Sequence, residues 1–343
     1  MRISIAMATY NGERYLGEQL QSFADQTRLP DELVVTDDCS TDSTMEILGV
    51  FAASAPFPVK VSLNPNNLGY AGNFNAALSK TTGDLVFLSD QDDVWFSTKL
   101  EHVEQLAMRN PDKLVILNDA RLTDAELKDT GLTKLGQIYA AGYTERQFVM
   151  GCCCAVRRQL LELCLPILEG VRAHDIWLRD FAEPLSSRLI TNEVLQFYRR
   201  HERNESQFGP NSILRRKRHA LDRLGRRLRR APVNVFRFQN ELEQLNILEK
   251  GYRRAIERSN RDDVVSAYQH ALTTVREKIS KRNSELALLV SCRKIRSSPI
   301  TRRFGLFLNL FRDSEYRSLL GFRRMLRLCL CQRKQANETD DCQ

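Results

Sequence analysis

The sequence predicts an α/β domain with a mostly parallel sheet over residues 1–209, followed by a basic, all-helical region over residues 210–343. Three observations carry this division. Short apolar runs of strand type alternate with stretches of helical periodicity through the first hundred residues, the pattern of strands covered by helices on both faces. Polar clusters stand directly after the ends of three of those apolar runs. The charge also breaks sharply: residues 1–209 hold 20 Lys and Arg against 29 Asp and Glu, a net −9, whereas residues 210–343 hold 31 against 14, a net +17. Gly209-Pro210, a dipeptide that ends regular structure, sits at the break.

The first strand is Ile3–Ala8, stopped by Thr9-Tyr10-Asn11-Gly12, and Leu16, Leu20 and Phe23 then recur at helical spacing over Tyr15–Ala24. A second strand, Glu32–Thr36, ends in Asp37-Asp38-Cys39-Ser40-Thr41-Asp42, with a helix over Ser43–Phe51. A third, Val59–Leu63, precedes the segment Asn64–Gly72 and a short helix through Phe74–Leu78. The fourth, Asp84–Leu88, ends in Ser89-Asp90-Gln91-Asp92-Asp93. In open α/β sheets the carboxyl edge of the strands is where ligands bind, so the polar clusters mark a site.

Composition removes several classes. With 343 residues and 42% hydrophobic content the chain can bury a core, which excludes disorder throughout. No run of 18 apolar residues occurs, and the N-terminus MRISIAMATYNG lacks the long apolar stretch of a signal peptide, so neither a membrane span nor secretion by that route is expected. Nine cysteines form no C-x-x-C pair, and Cys152-Cys153-Cys154 lie in an apolar run as small hydrophobes. This argues against a zinc site and for a reducing compartment.

No G-x-G-x-x-G follows the first strand, so phosphates must be handled otherwise. Asp90-Gln91-Asp92-Asp93 offers carboxylates at i, i+2 and i+3 that can converge on a hard divalent cation; a solvated acidic turn is the plain alternative.

Four blocks, Thr9-Tyr10-Asn11-Gly12, Val35–Asp42, Asn66-Asn67-Leu68-Gly69 and Leu88–Trp95, together resemble a family 2 glycosyltransferase, and the S-D-Q-D-D-x-W form resembles its rhamnosyltransferase-like branch. The resemblance implies a GT-A fold that binds a nucleotide sugar with Mg²⁺ or Mn²⁺. It places Thr9, Tyr10 and Asn11 along the base and ribose with Glu13 nearby, Asp38 on the N–H of a pyrimidine, Asp90 at the ribose, Asp92 on the metal and Asp93 assisting. Asn67 and Gly69 line the donor or form a plain turn. Asp37 supports its loop, and Asp37 and Asp42 cap the Ser43 helix or touch ligand.

An inverting transfer needs a base across the sugar from the leaving group, hence from a later segment than the metal motif. Ala173-His174-Asp175-Ile176-Trp177-Leu178 matches the family's segment, with Asp175 as base or as helix N-cap, and His174 beside it to share proton work. Ala173 departs from the acidic or small polar residue found there in related sequences. Met150-Gly151-Cys152-Cys153 corresponds to the family's acceptor-side segment. Tyr198-Arg199-Arg200-His201 resembles its Y-R-x-H segment, where Arg199, Arg200 or His201 would meet the diphosphate and His201 the metal. Trp95 and Trp177 wall the sugar or pack in the core.

In the basic region, Leu214, Leu221, Leu224 and Leu228 share a helical face over 213–230, periodicity continues through 236–290, and Phe304–Leu330 mixes Phe and Leu with Arg. No proline interrupts 233–298. Such helices lie on an anionic membrane surface or pack on the protein or in a homo-oligomer; no nucleic-acid partner is expected, since no binding motif accompanies the arginines. The resulting expectation is an inverting transferase, cytoplasmic or peripheral on the inner face of the cell membrane, moving a sugar (L-rhamnose from dTDP-rhamnose foremost) to a lipid-linked or growing glycan. A UDP-sugar transferase and a non-catalytic nucleotide-sugar-binding protein are the alternatives.

Overall fold

The computed structural model of the chain describes residues 1–202 and 235–312. The helix expected over 213–230 and the part of 304–330 beyond residue 312 lie outside the described residues. The chain opens with β1 (Ile3–Thr9), α1 (Leu16–Ala24), β2 (Glu32–Asp37), α2 (Thr44–Ser54), β3 (Val59–Leu63), α3 (Gly69–Lys80) and β4 (Leu85–Ser89). It continues with β5 (Val94–Trp95), α4 (Lys99–Arg109), β6 (Val115–Thr123), β7 (Asp129–Thr133) and α5 (Lys134–Ala140). Two 3₁₀ turns, Glu145–Gln147 and Gly151–Cys153, lead to β8 (Cys154–Arg157), α6 (Arg158–Cys164), α7 (His174–Ala182) and β9 (Arg188–Arg199).

The sheet runs β3-β2-β1-β4-β8-β6-β9-β5, with β7 paired to β6. β1 is parallel to β2 and β4, and β2 to β3; β8 turns antiparallel between β4 and β6, and β5 lies antiparallel on β9. Strand order therefore reverses at β1, whose neighbours are the second strand on one side and the fourth on the other, and the carboxyl ends Thr9, Asp37 and Ser89 meet there: Thr9 opposes Asp37, and Met7 opposes Ser89. This is the crevice where α/β sheets bind ligands.

Sequence pattern explains the parallel half. Ile3, Ile5 and Met7 of β1, Leu33 and Val35 of β2, and Leu85 and Phe87 of β4 form one core with Leu16, Leu20 and Phe23 of α1 and Leu100 and Val103 of α4. Burial of each such side chain contributes about 1.5–3 kcal/mol. On β1 and β2 α3 also packs, through buried Phe74, Ala77 and Leu78. This helix is longer than its apolar spacing suggests, because Gly69, at φ +70°, starts the chain into it and Asn67 Oδ1 accepts from Gly69 N–H at 3.0 Å.

The C-terminal helices are α8 (Val235–Arg258), α9 (Asp262–Ser297) and α10 (Ile300–Arg312). Ser259-Asn260-Arg261 separates the first two of these helices, and Pro299 lies between the last two. The chain divides into two compact units, with boundaries inside α8 and α9. Of the described residues, one holds 1–202 with 250–271, the other 235–249 with 272–312. Within the first, Tyr252 and Tyr268 pack against Phe181 and donate to the carbonyls of Asp180 (2.6 Å) and Phe181 (2.9 Å), while Arg254 donates to the Cys164 and Pro166 carbonyls. Within the second, Arg276 pairs with Glu249 at 2.9 Å and Arg282 with Glu241 at 3.1 Å, around buried Leu242, Val275, Leu288, Cys292 and Phe307. No helix of the described residues is long and apolar enough to cross a membrane.

Candidate active site

Three loops leave the carboxyl edge of β1, β2 and β4, and side chains tie the first two together. Asn11 sits at φ +47°, its Oδ1 accepting from Thr41 N–H at 2.9 Å while its own N–H reaches Ser40 Oγ at 2.8 Å. Glu13 N–H donates to Asp42 Oδ2, and Glu13 Oε2 accepts from Ser43 N–H, both at 3.1 Å. Thr9 is buried and spends its hydroxyl on Asp37 Oδ2 at 2.7 Å. Asp37 also accepts from the N–H and hydroxyl of Ser40, so it holds the loop, while Asp42 Oδ1 accepts from Thr44 N–H at 3.0 Å at the start of α2. Tyr10 projects, 49% exposed. Asp38, buried, has Oδ1 bonded by Asn64 Nδ2 (2.9 Å) and Leu68 N–H (2.8 Å), and Asn67 Nδ2 reaches the Asp38 carbonyl at 3.2 Å.

The Asp90–Asp93 loop gathers negative charge. A carboxyl oxygen of Asp90, one of Asp93 and Cys152 Sγ lie within 4.8 Å of one another. Burial first, then the charges of Asp92 and Asp175, push the Asp90 carboxyl up to about 7. Burial with Asp92 and Asp90 raises Asp93 well above the ordinary carboxylate range. Burial likewise raises the Cys152 thiol, which therefore stays protonated at neutral pH. Asp92 Oδ2 contacts His201 Nε2 at 2.8 Å, and the His201 ring stacks on Tyr15 with centroids 4.9 Å apart.

Beneath this loop lie buried polar residues that sequence reasoning did not single out or placed elsewhere. Lys99, 1% exposed, donates to the Cys152 carbonyl at 3.0 Å and to Gln196 Oε1, and its ammonium is 3.8 Å from the Trp95 ring centre. Gln196 Nε2 donates in turn to Asp93 Oδ2 at 2.9 Å. Burial lowers the Lys99 ammonium to about 8. The Arg199 guanidinium, 2% exposed, binds the Asp92 carbonyl (2.9 Å), the Ala125 carbonyl (2.6 Å) and the Glu18 carboxylate, and lies over Tyr15. Its backbone N–H donates to Asp93 Oδ1 at 3.2 Å. Arg200, the other cation expected near the diphosphate, donates to Tyr198 Oη at 3.1 Å.

Asp175 is the second residue of α7. Ala173 holds the N-cap position, and Asp175 Oδ1 accepts from Ile176 N–H at 2.7 Å, so Asp175 is a first-turn carboxylate rather than the cap. It is part-exposed and lines a concavity with Val149, Met150, Cys154, Leu178, Arg179 and Arg188, and its charge acts on Asp90. His174 points away from proton work: it is buried, stacks on Phe74 with ring centres 3.9 Å apart, makes no hydrogen bond with either nitrogen, and is kept neutral by burial. Trp95 and Trp177, each 3% exposed, are core residues. The first packs on Phe23 and Phe87, the second donates to the Cys164 carbonyl at 3.0 Å.

The model of the glycosyl transferase family 2 domain matches residues 4–164. This chain carries a family 2 glycosyltransferase domain. Its architecture is the GT-A type: the structure of Staphylococcus aureus TarS 1–349 in complex with UDP-GlcNAc superposes with a TM-score of 0.52 at 17% identity, over 96% of this chain and 82% of that one. The dTDP-rhamnosyl transferase RfbG of Shigella flexneri is 27% identical over 218 residues, 58% of this chain and 73% of its own. An uncharacterized protein of Mycobacterium tuberculosis, Rv1520, is 35% identical over 122 residues. That stretch spans 35% of each, so the chain covers about a third of the length of such mycobacterial relatives. All four blocks quoted from the sequence fall inside the matched domain, whereas Asp175, Arg199 and His201 lie beyond it.

Proposed function

We propose that this chain is an inverting glycosyltransferase that moves L-rhamnose from dTDP-rhamnose to a lipid-linked or growing glycan during surface-polysaccharide assembly. The observation that carries the reading is the convergence, at one sheet edge, of the Tyr10 and Asp38 loops and the Asp90–Asp93 carboxylates, with Asp175 of α7 near enough for its charge to act on Asp90. The sugar rests on the likeness to RfbG, which extends past the family domain into the helix that bears Asp175.

The donor set fits a divalent cation. Carboxylates held up by burial and then by mutual repulsion are relieved by positive charge, and with the Cys152 thiol protonated the available ligands are hard oxygens, which suits Mg²⁺ or Mn²⁺. Asp92 would hold the ion, with Asp93 and His201 assisting, and the ion would supply positive charge to the departing diphosphate. Tyr10, Asn11 and Asp38 bind and orient the nucleotide, with Asn67 and Gly69 shaping that wall. Asp175 takes the proton from the acceptor hydroxyl as it attacks.

A screen of nucleotide sugars by thermal shift, with and without Mg²⁺ or Mn²⁺, tests this, because a ligand that binds only the folded state raises its stability. The expected result is a metal-dependent shift with dTDP-rhamnose that exceeds the shift with UDP-sugars. Equal or absent shifts overturn the donor.

Peripheral attachment to the inner face of the membrane is part of the reading. It is supported by the +17 charge of residues 210–343 and by exposed Leu306 and Leu308 beside exposed Arg302 on α10. Full-length protein should co-sediment with anionic vesicles and be weakened but not released by high salt. Failure to co-sediment at low salt removes this part.

A further inference from the structure

The residue between the two acidic positions of the D-x-D motif has no assigned work. Here it is Gln91, and its carboxamide meets the Tyr10 peptide on both sides: Tyr10 N–H donates to Gln91 Oε1 at 2.8 Å, and Gln91 Nε2 donates to the Tyr10 carbonyl at 2.9 Å. Backbone two residues on leaves room for it. A Cβ on Gly12 would stand 2.4 Å from Gln91 Oε1 and 2.6 Å from its Cδ. The turn at residues 10–12 is thus pinned from both flanks, by Asn11 to Thr41 on one side and by Gln91 to the acidic loop on the other. Between the pins the Tyr10 ring stands half-exposed above the edge.

We propose that Gln91 is a positioning residue whose amide clamps the Tyr10 peptide to the acidic loop, fixing the Tyr10 ring as the platform for the nucleotide base relative to the diphosphate end of the site, and that Gly12 is glycine to admit the clamp. The proposal rests on the donor-binding reading above. A peptide offers one donor and one acceptor, and a neutral amide matches both at once. A glutamate here would face the Tyr10 carbonyl with a carboxylate and add a further negative charge between Asp90 and Asp92. A methyl on Gly12 meets the flexible end of a side chain, so Gly12→Ala should displace Gln91 and open the clamp with little cost to the fold.

The test is a set of binding titrations with dTDP and UDP in Mg²⁺, on full-length wild type and on Q91A, Q91E, G12A, Y10A and the double variants G12A/Q91A and Y10A/Q91A, with melting temperatures recorded for each. Two neutral hydrogen bonds lost predict a Kd about tenfold higher in Q91A. G12A should match Q91A, the double variant should be no worse than either single, and Q91E should be weaker than Q91A. In a Y10A background, Q91A should cost nothing further, which a general loss of structure would not reproduce. A wild type that binds and a Q91A variant within twofold of it, or additive effects in either double variant, overturn the clamp and leave the donor-binding reading standing. A wild type that binds neither nucleotide overturns both.

Discussion

In the half of the sheet formed by β3, β2, β1 and β4, the loops that reach the site carry short contacts between neutral groups near the surface: Asn11 to Thr41, Asn67 to the Asp38 carbonyl, Gln91 to Tyr10. In the half formed by β8, β6, β9 and β5, the site is held from beneath by buried charge, with Lys99 under Gln196 and Asp93, and Arg199 under Asp92. The first kind of support costs about 1 kcal/mol per contact when removed, because water replaces it. The second fails harder, since removing a buried cation leaves several buried or part-buried partners without their counterpart. Small changes are therefore tolerated among the first contacts, whereas the buried cations beneath Asp92 and Asp93 admit few substitutions.

The largest effect expected from this contrast is on chemistry. Asp175→Asn keeps the bond to Ile176 N–H but removes the basic oxygen, so transfer should fall by roughly 10²–10⁴ while the Kd for dTDP stays within a few-fold. Equal losses of affinity and rate would place Asp175 among the supports instead. Asp92→Asn should act on the opposite side. Metal-dependent donor binding should weaken and turnover drop by about 10² as one charged ligand becomes neutral. Titration of Mn²⁺ in the presence of dTDP reads the first effect, and an unchanged metal dependence sinks the assignment.

Next in size is Arg199→Met, which takes the buried guanidinium away from the part-buried carbonyls of Asp92 and Ala125 and from the ring face of Tyr15. Denaturant unfolding should show a loss of about 3–5 kcal/mol. A loss below 1 kcal/mol would mean that the loop is not held from beneath and that the two halves are alike.

The same contrast decides what could be read from sequence. The parallel half was legible because Ile3–Ala8, Glu32–Thr36 and Asp84–Leu88 are continuous apolar runs each ended by a polar cluster, and strand ends are where such clusters become a site. The other half gave weaker signals. Val115-Ile116-Leu117 belongs to a nine-residue strand that runs on through polar Asn118 and Asp119, and Cys152-Cys153-Cys154 divides between a 3₁₀ turn and β8. Lys99 and Arg199 look like surface cations in any composition count. The usable signal was Arg199 set among Leu195, Phe197 and Tyr198 in a strand, a charge where alternation calls for a buried side chain. Trp95 and Trp177 show the reverse: aromatic faces suited to sugar, spent on the core.

The smallest expected effect probes a buried charge in the parallel half, at the end of the sheet away from the site. Glu32 is fully buried at the start of β2. Burial pushes its carboxyl upward, but bonds from Lys60, Ser4 and both the N–H and hydroxyl of Thr82 outweigh this and hold it at about 2. Its ordinary value is 4.5, so the folded state favours the ionised form. The stabilisation this provides is complete above pH 4.5 and is lost as pH falls through 4.5 towards 2, when the proton returns. A depression of this size corresponds to about 3 kcal/mol. Glu32→Gln should therefore be less stable than wild type by about that amount at pH 7, and the gap should close progressively below pH 4.5 when unfolding is followed by circular dichroism. A gap that stays constant down to pH 3 would show that shape, not charge, carries the Glu32 network.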